Sequence, residues 1–269
     1  MSAQIVKKQA FVSELLERSD YAIIGEIVEP NSKVLDLGCG EGELLEWLAQ
    51  TKGVDARGVE ISSAKVQRAI ARGVSVFQSD IDAGLADYPD QAFDYVILSQ
   101  TLQEMRHPLQ VLREMLRVGR RGIVAFPNFG HWRVRFSMLT SGGAPRTPLF
   151  PHEWYDSPNI HFLTVWDFEA LVAKEGIRVE RRYFLAGNRK VRTLPNLMAE
   201  VAVYLVSGAR AIRAVNESGP ANRVQTRGRD AYWQKRRLSQ TDCDSRRSGS
   251  LTGAGRKRKA STKTFGCVL

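Results

Sequence analysis

Cysteine is scarce in this chain. Only Cys39, Cys243 and Cys267 occur among its 269 residues, far apart and without a CxxC pair or a Cys/His cluster. A disulfide scaffold and a structural zinc site are therefore not expected, and the scarcity favours a reducing compartment. The sequence predicts no metal site.

Long hydrophobic runs are also lacking. The longest apolar stretch, around Ala202–Val206, is far shorter than the roughly 20 residues that a transmembrane helix needs. Near the N-terminus, Lys7 and Lys8 are not followed by an apolar segment, which is unlike a secretory signal. These features predict a cytoplasmic protein that does not act at a membrane.

Acidic residues are scarce in one part of the chain. Residues 208–269 hold 15 Lys or Arg and 4 Asp or Glu, whereas residues 1–207 are nearly neutral. The same 62 residues hold only 8 Leu, Ile, Val or Phe, too few for a packed core. We therefore predict one domain over residues 1–207 and a disordered, basic, low-complexity tail over 208–269. The tail would attract nucleic acid non-specifically, since no nucleic-acid-binding motif accompanies its cations.

Short apolar runs alternate with helical patterns inside the predicted domain. Strands are predicted at Lys33–Leu37, Arg57–Glu60, Val74–Gln78, Phe93–Leu98, Gly122–Phe126, Ile177–Leu185 and Glu200–Leu205. Helices are predicted at Glu43–Ala49, Ser62–Arg72, His107–Val118 and Thr164–Lys174. This alternation predicts an α/β, doubly wound, Rossmann-like fold with a mostly parallel sheet and helices on both faces. Residues 128–160 are predicted to be a long irregular insertion.

The clearest motif is the segment DLGCGEG at residues 36–42. A predicted strand leads into Gly38, Gly40 and Gly42, and a helix follows directly. Glycines at such a turn let the backbone approach a ligand without an intervening Cβ. Glu60 ends the next strand, where its carboxylate can accept hydrogen bonds from two ribose hydroxyls. The combination favours a nucleoside ligand over a purely structural glycine turn.

The spacing of the glycines narrows the choice of nucleoside. It is GxGxG rather than the GxGxxG of dinucleotide sites, and both Asp36 and Glu41 lie at the turn. Two carboxylates would repel a pyrophosphate but would suit a sulfonium or an ammonium group. The turn therefore favours S-adenosylmethionine over NAD. Cys39, inside the turn, is predicted to fill space rather than to act as a nucleophile.

A family resemblance extends this interpretation. DLGCGEG followed by GVEIS resembles motif I and the second-strand acid of class I S-adenosylmethionine-dependent methyltransferases. More specific are the strings LSQTLQEMRHPLQVLREMLRVGRRGIVAFPNFGHWRVR and HEWYDSPNIHFLTVWDFEAL, which resemble the methionine-biosynthesis protein W (MetW) family over roughly residues 17–207. The resemblance implies a seven-stranded methyltransferase-like fold, S-adenosyl-L-methionine as cofactor, and homoserine O-acyltransferase as a partner whose activity the chain supports.

The resemblance also implies cofactor-binding residues, all at the carboxyl ends of predicted strands, where such sheets bind ligands. It places Asp36, Gly38 and Gly40 by the methionine moiety and Glu60 by the ribose. It places Asp80 and Ile81 by the adenine, and Ser99 and Gln100 by the methyl group. The predicted set is completed by Cys39, Gly42 and Ile61.

Methyl transfer is an alternative function, and it requires in-line positioning and sometimes a base. The candidate bases lie in or beside the insertion: His131, His152, Glu153, Asp156 and His161. The segment FPNFG lacks the Asn-Pro-Pro-Tyr motif, which disfavours a nucleic-acid base methyltransferase. A further alternative is nucleic-acid binding through the tail, where Tyr232 and Trp233 could stack on bases.

Aromatic and arginine side chains cluster in the same insertion. They are Phe150, Trp132, Trp154 and Tyr155, with Arg133, Arg135 and Arg146. Such a mixture is typical of interface anchors. Packing of the insertion on its own domain would explain the cluster equally well.

Overall fold

A computed structural model of the chain describes residues 18–208, and the predicted tail from residue 209 onward lies outside this part. The described strands are β1 (Lys33–Leu37), β2 (Asp55–Glu60), β3 (Ser75–Gln78), β4 (Phe93–Ser99), β5 (Gly119–Pro127), β6 (Arg178–Ala186), β7 (Arg189–Lys190) and β8 (Val201–Ser207). The α-helices are α1 (Ser19–Ile27), α2 (Glu43–Lys52), α3 (Ser63–Ala71), α4 (Pro108–Val118), α5 (Trp132–Ser141), α6 (Val165–Lys174) and α7 (Pro195–Met198).

The strands form one sheet in the order β3-β2-β1-β4-β5-β8-β6-β7. The first five strands in the chain pair in parallel, whereas β8 runs antiparallel to both β5 and β6. This topology confirms the predicted doubly wound α/β fold. All seven predicted strands are present, and the eighth, Arg189–Lys190, is a two-residue pairing with β6 that has no apolar pattern to predict it.

The central strands are buried on both faces because helices cover each side of the sheet. Side chains alternate between the two sides along each strand. Val34 and Ile97 pack into one cluster with α1 and α2, whereas Leu35, Leu98 and Phe126 pack into the other with α4 and α6. The parallel order places the carboxyl ends of β1, β2, β4 and β5 along one edge of the sheet.

Three of the described α-helices were not predicted. One is the four-residue α7. The predicted irregular insertion over residues 128–160 contains the second, α5, in which Val134 is the one buried residue, so no amphipathic pattern marks it. The third is α1, a nine-residue helix whose Gly25 permits a close contact with Trp47. A Cβ on Gly25 would lie 2.1 Å from the nearest ring carbon of Trp47. That contact joins α1 to α2 and is not visible in the local sequence.

Asn128 fixes the chain directly after β5. Its amide nitrogen donates to the carbonyls of Asn196 (3.1 Å) and Ala199 (2.8 Å), and its amide oxygen accepts the N–H groups of Gly130 (3.0 Å) and Val165 (3.3 Å). The side chain is fully buried. Asn128 therefore connects β5 to the start of α6 and to α7. Among the described helices, none has the length and hydropathy to cross a membrane.

Candidate cofactor site

The glycine turn after β1 requires glycine at three positions. Gly38, Gly40 and Gly42 have φ values of 79°, 59° and 83°, a region that residues with a Cβ rarely adopt. A Cβ on Gly38 would lie 2.7 Å from the Thr101 hydroxyl oxygen, and one on Gly42 would lie 3.0 Å from Ala69. A Cβ on Gly40, in contrast, would meet nothing within 4 Å. Gly40 therefore faces open space at the edge of the sheet.

The Glu60 carboxylate lies across this turn. One oxygen accepts the Gly40 N–H at 3.0 Å and the other accepts the Ser62 N–H at 2.9 Å. Glu60 is buried, with 5% of its surface exposed. A carboxylate has about four acceptor positions, so two remain for a ligand.

Asp36 is the most perturbed acid of the site. It is buried, and its Oδ1 has no hydrogen-bond partner. Burial raises the pKa of Asp36 to about 7; Asp20, Glu60 and Glu43 act in the same direction and Arg18 opposes them. An unpartnered buried carboxylate oxygen costs free energy, which a cationic ligand would offset.

A second acid beside Asp36 is Asp20, which the sequence interpretation missed. Arg18 donates to both Asp20 oxygens, at 3.0 and 2.9 Å, and to the Ser99 hydroxyl at 3.1 Å. The Ser99 hydroxyl in turn donates to Asp20. The Arg18 guanidinium also lies 4.3 Å from the centre of the Tyr21 ring. This network holds the start of α1 against the end of β4.

Glu41, the second carboxylate of the turn, is paired. It forms an ion pair with Arg68 on α3. Of the two carboxylates at the turn, Asp36 is therefore the one that keeps an unpartnered oxygen. The acids Asp20, Glu60 and Glu43 raise the pKa of Asp36, and Arg18 opposes them.

Cys39 is enclosed by the turn. It is 4% exposed, and a Cβ on Gly58 would lie 2.4 Å from its sulfur. Burial raises the pKa of the Cys39 thiol, and the acids Asp36 and Glu60 raise it further. The thiol is therefore protonated and packed, as expected for a residue that fills space.

The predicted adenine side is formed by the ends of β2 and β3. Ile81 is buried at the start of a short 3₁₀ turn, which Asp80 caps by accepting the Asp82 N–H at 2.9 Å. Ile61 is 62% exposed and Phe77 is 55% exposed at the same edge. These apolar groups offer a surface on which a flat base can pack.

The predicted methyl side lies at the end of β4. Gln100 is half-buried and has a φ of 55°, and its N–H donates to the Ala125 carbonyl at 2.8 Å. Gln103, which the sequence interpretation missed, donates from its side chain to the Gln100 carbonyl at 2.7 Å. Its own amide oxygen is buried without a partner. Hydrogen bonds made by Ser99, Gln100 and Gln103 therefore connect the end of β4 to β5 and to α1.

The five candidate bases are dispersed. His131 caps α5 by accepting the Arg133 N–H at 3.4 Å, and burial lowers its pKa. Glu153 pairs with Arg146 at 2.7 Å. The other three, His152, Asp156 and His161, are exposed. Within residues 18–208, none of the five hydrogen-bonds to the glycine turn or to Ser99.

In the described part of the chain, no three His, Cys, Asp or Glu side chains are grouped so that they could hold a metal ion.

Comparisons with known proteins add to this geometry. A family model described as methionine biosynthesis protein MetW matches residues 18–206. The bifunctional methionine biosynthesis protein MetXA/MetW of Rhodopirellula baltica is 35% identical over 207 residues, which are 72% of this chain and 33% of that protein. Methyltransferase GfsG of Streptomyces halstedii is 33% identical over 120 residues, 42% of this chain and 41% of that protein. The chain therefore spans less than half the length of these relatives.

Two solved structures with the same fold are described as S-adenosylmethionine-dependent methyltransferases. One from Archaeoglobus fulgidus has a TM-score of 0.53 at 16% identity, and one from Aquifex aeolicus has a TM-score of 0.51 at 18% identity. Each match covers 77% of this chain and 100% of the other chain. At such low identity these matches show the fold alone. The family model spans most of the chain, and the chain therefore belongs to the methionine biosynthesis protein MetW family.

Proposed function

We propose that this chain binds S-adenosyl-L-methionine between the glycine turn and Glu60, and that it acts in methionine biosynthesis with homoserine O-acyltransferase. The observation that carries the ligand assignment is the open side of Gly40 beside a buried acid. A Cβ there would meet nothing within 4 Å, although both neighbouring turn glycines are crowded. Open backbone next to the Glu60 carboxylate suits a ribose.

The charges at the site favour a cation. The buried acids Asp20 and Glu60 both act on Asp36, one guanidinium, that of Arg18, opposes them, and Asp36 keeps an unpartnered oxygen. S-adenosylmethionine carries both a sulfonium and an ammonium group. In this proposal Asp36 receives a positive group of the methionine moiety, and Glu60 accepts the ribose hydroxyls.

The partner assignment is supported by the bifunctional relative. That protein carries a MetXA part and a MetW part in a single chain, of which our chain matches 33%. Fusion holds two parts at a high effective concentration, which is useful when they act together. We take the MetXA part to correspond to the acyltransferase, so that this separate chain would bind its partner without a covalent link. Ligand occupancy would then regulate the acyltransferase if the ligand-bound and ligand-free forms of the chain bind the acyltransferase with different affinities.

The ligand proposal is tested by calorimetric titration of S-adenosylmethionine into the full chain. We expect saturable binding to the wild type and none to Gly40→Arg, because the arginine side chain would fill the open side of the turn. Thermal unfolding of both proteins checks that the variant folds. A wild type that shows no binding at millimolar ligand would overturn the proposal.

The partner proposal is tested by co-purifying the chain with homoserine O-acyltransferase and by assaying the acyltransferase with and without it. We expect the two to co-purify and the acylation rate to change. Absence of both effects would contradict the partnership and leave the ligand proposal standing.

Methyl transfer to a small molecule is the second candidate function, and the similarity to Methyltransferase GfsG favours it. The positions of the candidate bases do not favour methyl transfer, because two of the five, His131 and Glu153, are held in other contacts. Incubation of the chain and a cell extract with methyl-labelled S-adenosylmethionine tests whether the chain transfers a methyl group. Label transfer by the wild type and not by Gly40→Arg would establish this function.

A further inference from the structure

One region of the described chain exposes far more apolar surface than the rest. Of the fourteen large apolar side chains that are exposed, eight lie within residues 132–162. We call these eight residues the aromatic face: Trp132, Phe136, Met138, Leu139, Trp154, Tyr155, Ile160 and Phe162. Large exposed apolar areas in a monomeric protein often mark an interaction site.

Helix α5 supplies half of the aromatic face. Trp132, Phe136 and Leu139 follow each other at intervals of four and three residues, so they line one side of the helix. Leu139 is 83% exposed, and Val134 is the one buried residue of the ten. A helix this short is marginal without packing. The side of α5 that carries the three apolar residues therefore lacks a packing partner within residues 18–208.

Phe162 of the aromatic face is held in place by packing. The Phe129 ring lies 5.1 Å from the Phe150 ring and 4.4 Å from the Phe162 ring, measured between centroids. The Phe129 N–H also donates to the Leu163 carbonyl at 2.9 Å. Phe162 is thus presented on an ordered support, which lowers the entropy cost of binding.

The charges around the aromatic face are mixed. Residues 132–162 contain Arg133, Arg135 and Arg146 together with Glu153 and Asp156, and Arg146 pairs with Glu153 at 2.7 Å. The Arg133 guanidinium lies 5.4 Å from the Trp132 ring centre. Cores of protein interfaces are enriched in aromatic residues, Met and Arg, which are the residue types that predominate here. The complementary surface is therefore mainly apolar.

The exposed apolar area is comparable with that of a specific interface. An aromatic side chain brings about 150–250 Å² of surface, so eight large residues at roughly half exposure supply on the order of the ~800 Å² that each partner buries in a standard interface. A second copy of the chain is the competing occupant. The bifunctional relative favours the acyltransferase, because it holds a MetXA part and a MetW part in a single chain.

The aromatic face is connected to the cofactor site by a short path. The N–H groups of Ile160 and His161 both donate to the Gln103 carbonyl at 2.9 Å. Gln103 in turn donates to the Gln100 carbonyl at the end of β4. A protein bound to the aromatic face would therefore contact the segment that forms the predicted methyl side of the site.

We propose that the aromatic face is the surface on which homoserine O-acyltransferase docks, through an apolar groove on the acyltransferase. This inference rests on the proposed function, because it assigns a surface to the partner named there. Leu139 and Trp154 are the anchors most exposed on the helix and on the loop, at 83% and 77%.

The test measures the affinity of the full-length chain for immobilised acyltransferase. We expect Leu139→Asp and Trp154→Asp each to weaken binding about 10-fold or more, because hot-spot anchors carry most of an interface's energy. Ile70→Asp is the matched control. Ile70 is 56% exposed and lies in the last turn of α3, just as Leu139 lies in the last turn of α5. Ile70→Asp should change the affinity by less than about two-fold.

Each result decides a different point. Face variants that bind as tightly as the wild type would overturn the inference and leave the partnership intact. A wild type that binds no acyltransferase would overturn the proposed partnership and the inference with it. If Leu139→Asp splits a wild-type dimer and still binds the acyltransferase, the face belongs to a second copy. Titration with S-adenosylmethionine, expected to be unchanged in all three variants, shows that they are folded.

Discussion

The Gly40 N–H donates to Glu60 Oε2 at 3.0 Å, which joins the glycine turn to the end of β2. The second Glu60 oxygen accepts the Ser62 N–H at 2.9 Å, at the beginning of α3. One buried carboxylate therefore positions two loops and still offers acceptor positions to a ligand.

Glu60→Gln tests this double role. The amide keeps one acceptor oxygen but places an NH₂ group where a charged acceptor was. We expect the affinity for S-adenosylmethionine to fall about 10- to 100-fold, since hydrogen bonds to charged groups contribute roughly 1.5–3 kcal/mol. Calorimetric titration measures the change. Glu41→Gln is the control, because Glu41 pairs with Arg68 at the surface and its loss should alter the affinity by less than about two-fold.

Gly40→Ala separates the backbone requirement of the turn from its contact with ligand. Gly40 and Gly73 both have positive φ, 59° and 85°, and a Cβ on either would meet nothing within 4 Å. We expect both Gly40→Ala and Gly73→Ala to lower the free energy of unfolding by about 1–2 kcal/mol. Only Gly40→Ala should weaken ligand binding, because its methyl group occupies the open side of the turn. Equal ligand affinities in the two variants would contradict the assignment of this cleft.

The parallel part of the sheet could be predicted because its determinants are local. Val34, Leu35 and Leu37 form a short apolar run that only Asp36 interrupts, and the glycine turn follows at once. Glu60 was found for the same reason, since it ends the next predicted strand. The positive φ values of Gly38, Gly40 and Gly42 are consistent with the expectation that glycine is required at each of these positions.

The residues that sequence analysis missed depend on contacts between distant segments. Ser99 and Asp20 are 79 residues apart, and their hydrogen bond exists only after α1 packs against the end of β4. Gln103 likewise acquires its role from the N–H groups of Ile160 and His161. Helix α5 was missed because its apolar residues face outward, which is the feature that later identified the aromatic face.

Asn128→Ala tests whether this asparagine is structural. The substitution leaves two carbonyls and two N–H groups without the partners described above, in a fully buried place. We expect a loss of about 3–5 kcal/mol in the free energy of unfolding, measured by urea denaturation. Asn188→Ala, at an exposed turn, should cost less than about 0.5 kcal/mol. A small effect at Asn128 would show that water replaces its amide.

Asp36 should make the stability of the protein depend on pH. Burial raises the pKa of Asp36 to about 7, above the 3.8 of the unfolded chain. Between these values the folded state holds a proton that the unfolded state has released, so the free energy of unfolding falls as pH rises from about 4 to 7. We expect Asp36→Asn to unfold at higher urea concentration than the wild type at pH 8. The difference should vanish towards pH 4, where both side chains are neutral.

A cationic ligand reverses this preference, because it stabilises the ionised form of Asp36. Binding should therefore release a proton, and the affinity for S-adenosylmethionine should rise as pH increases towards and through 7, by at most about tenfold per pH unit. The ligand's own α-amino group titrates near 8, but it does so with both proteins. The difference in pH dependence between the wild type and Asp36→Asn thus isolates Asp36. Parallel pH profiles for the two proteins would exclude contact between the Asp36 carboxylate and a positive group of the ligand.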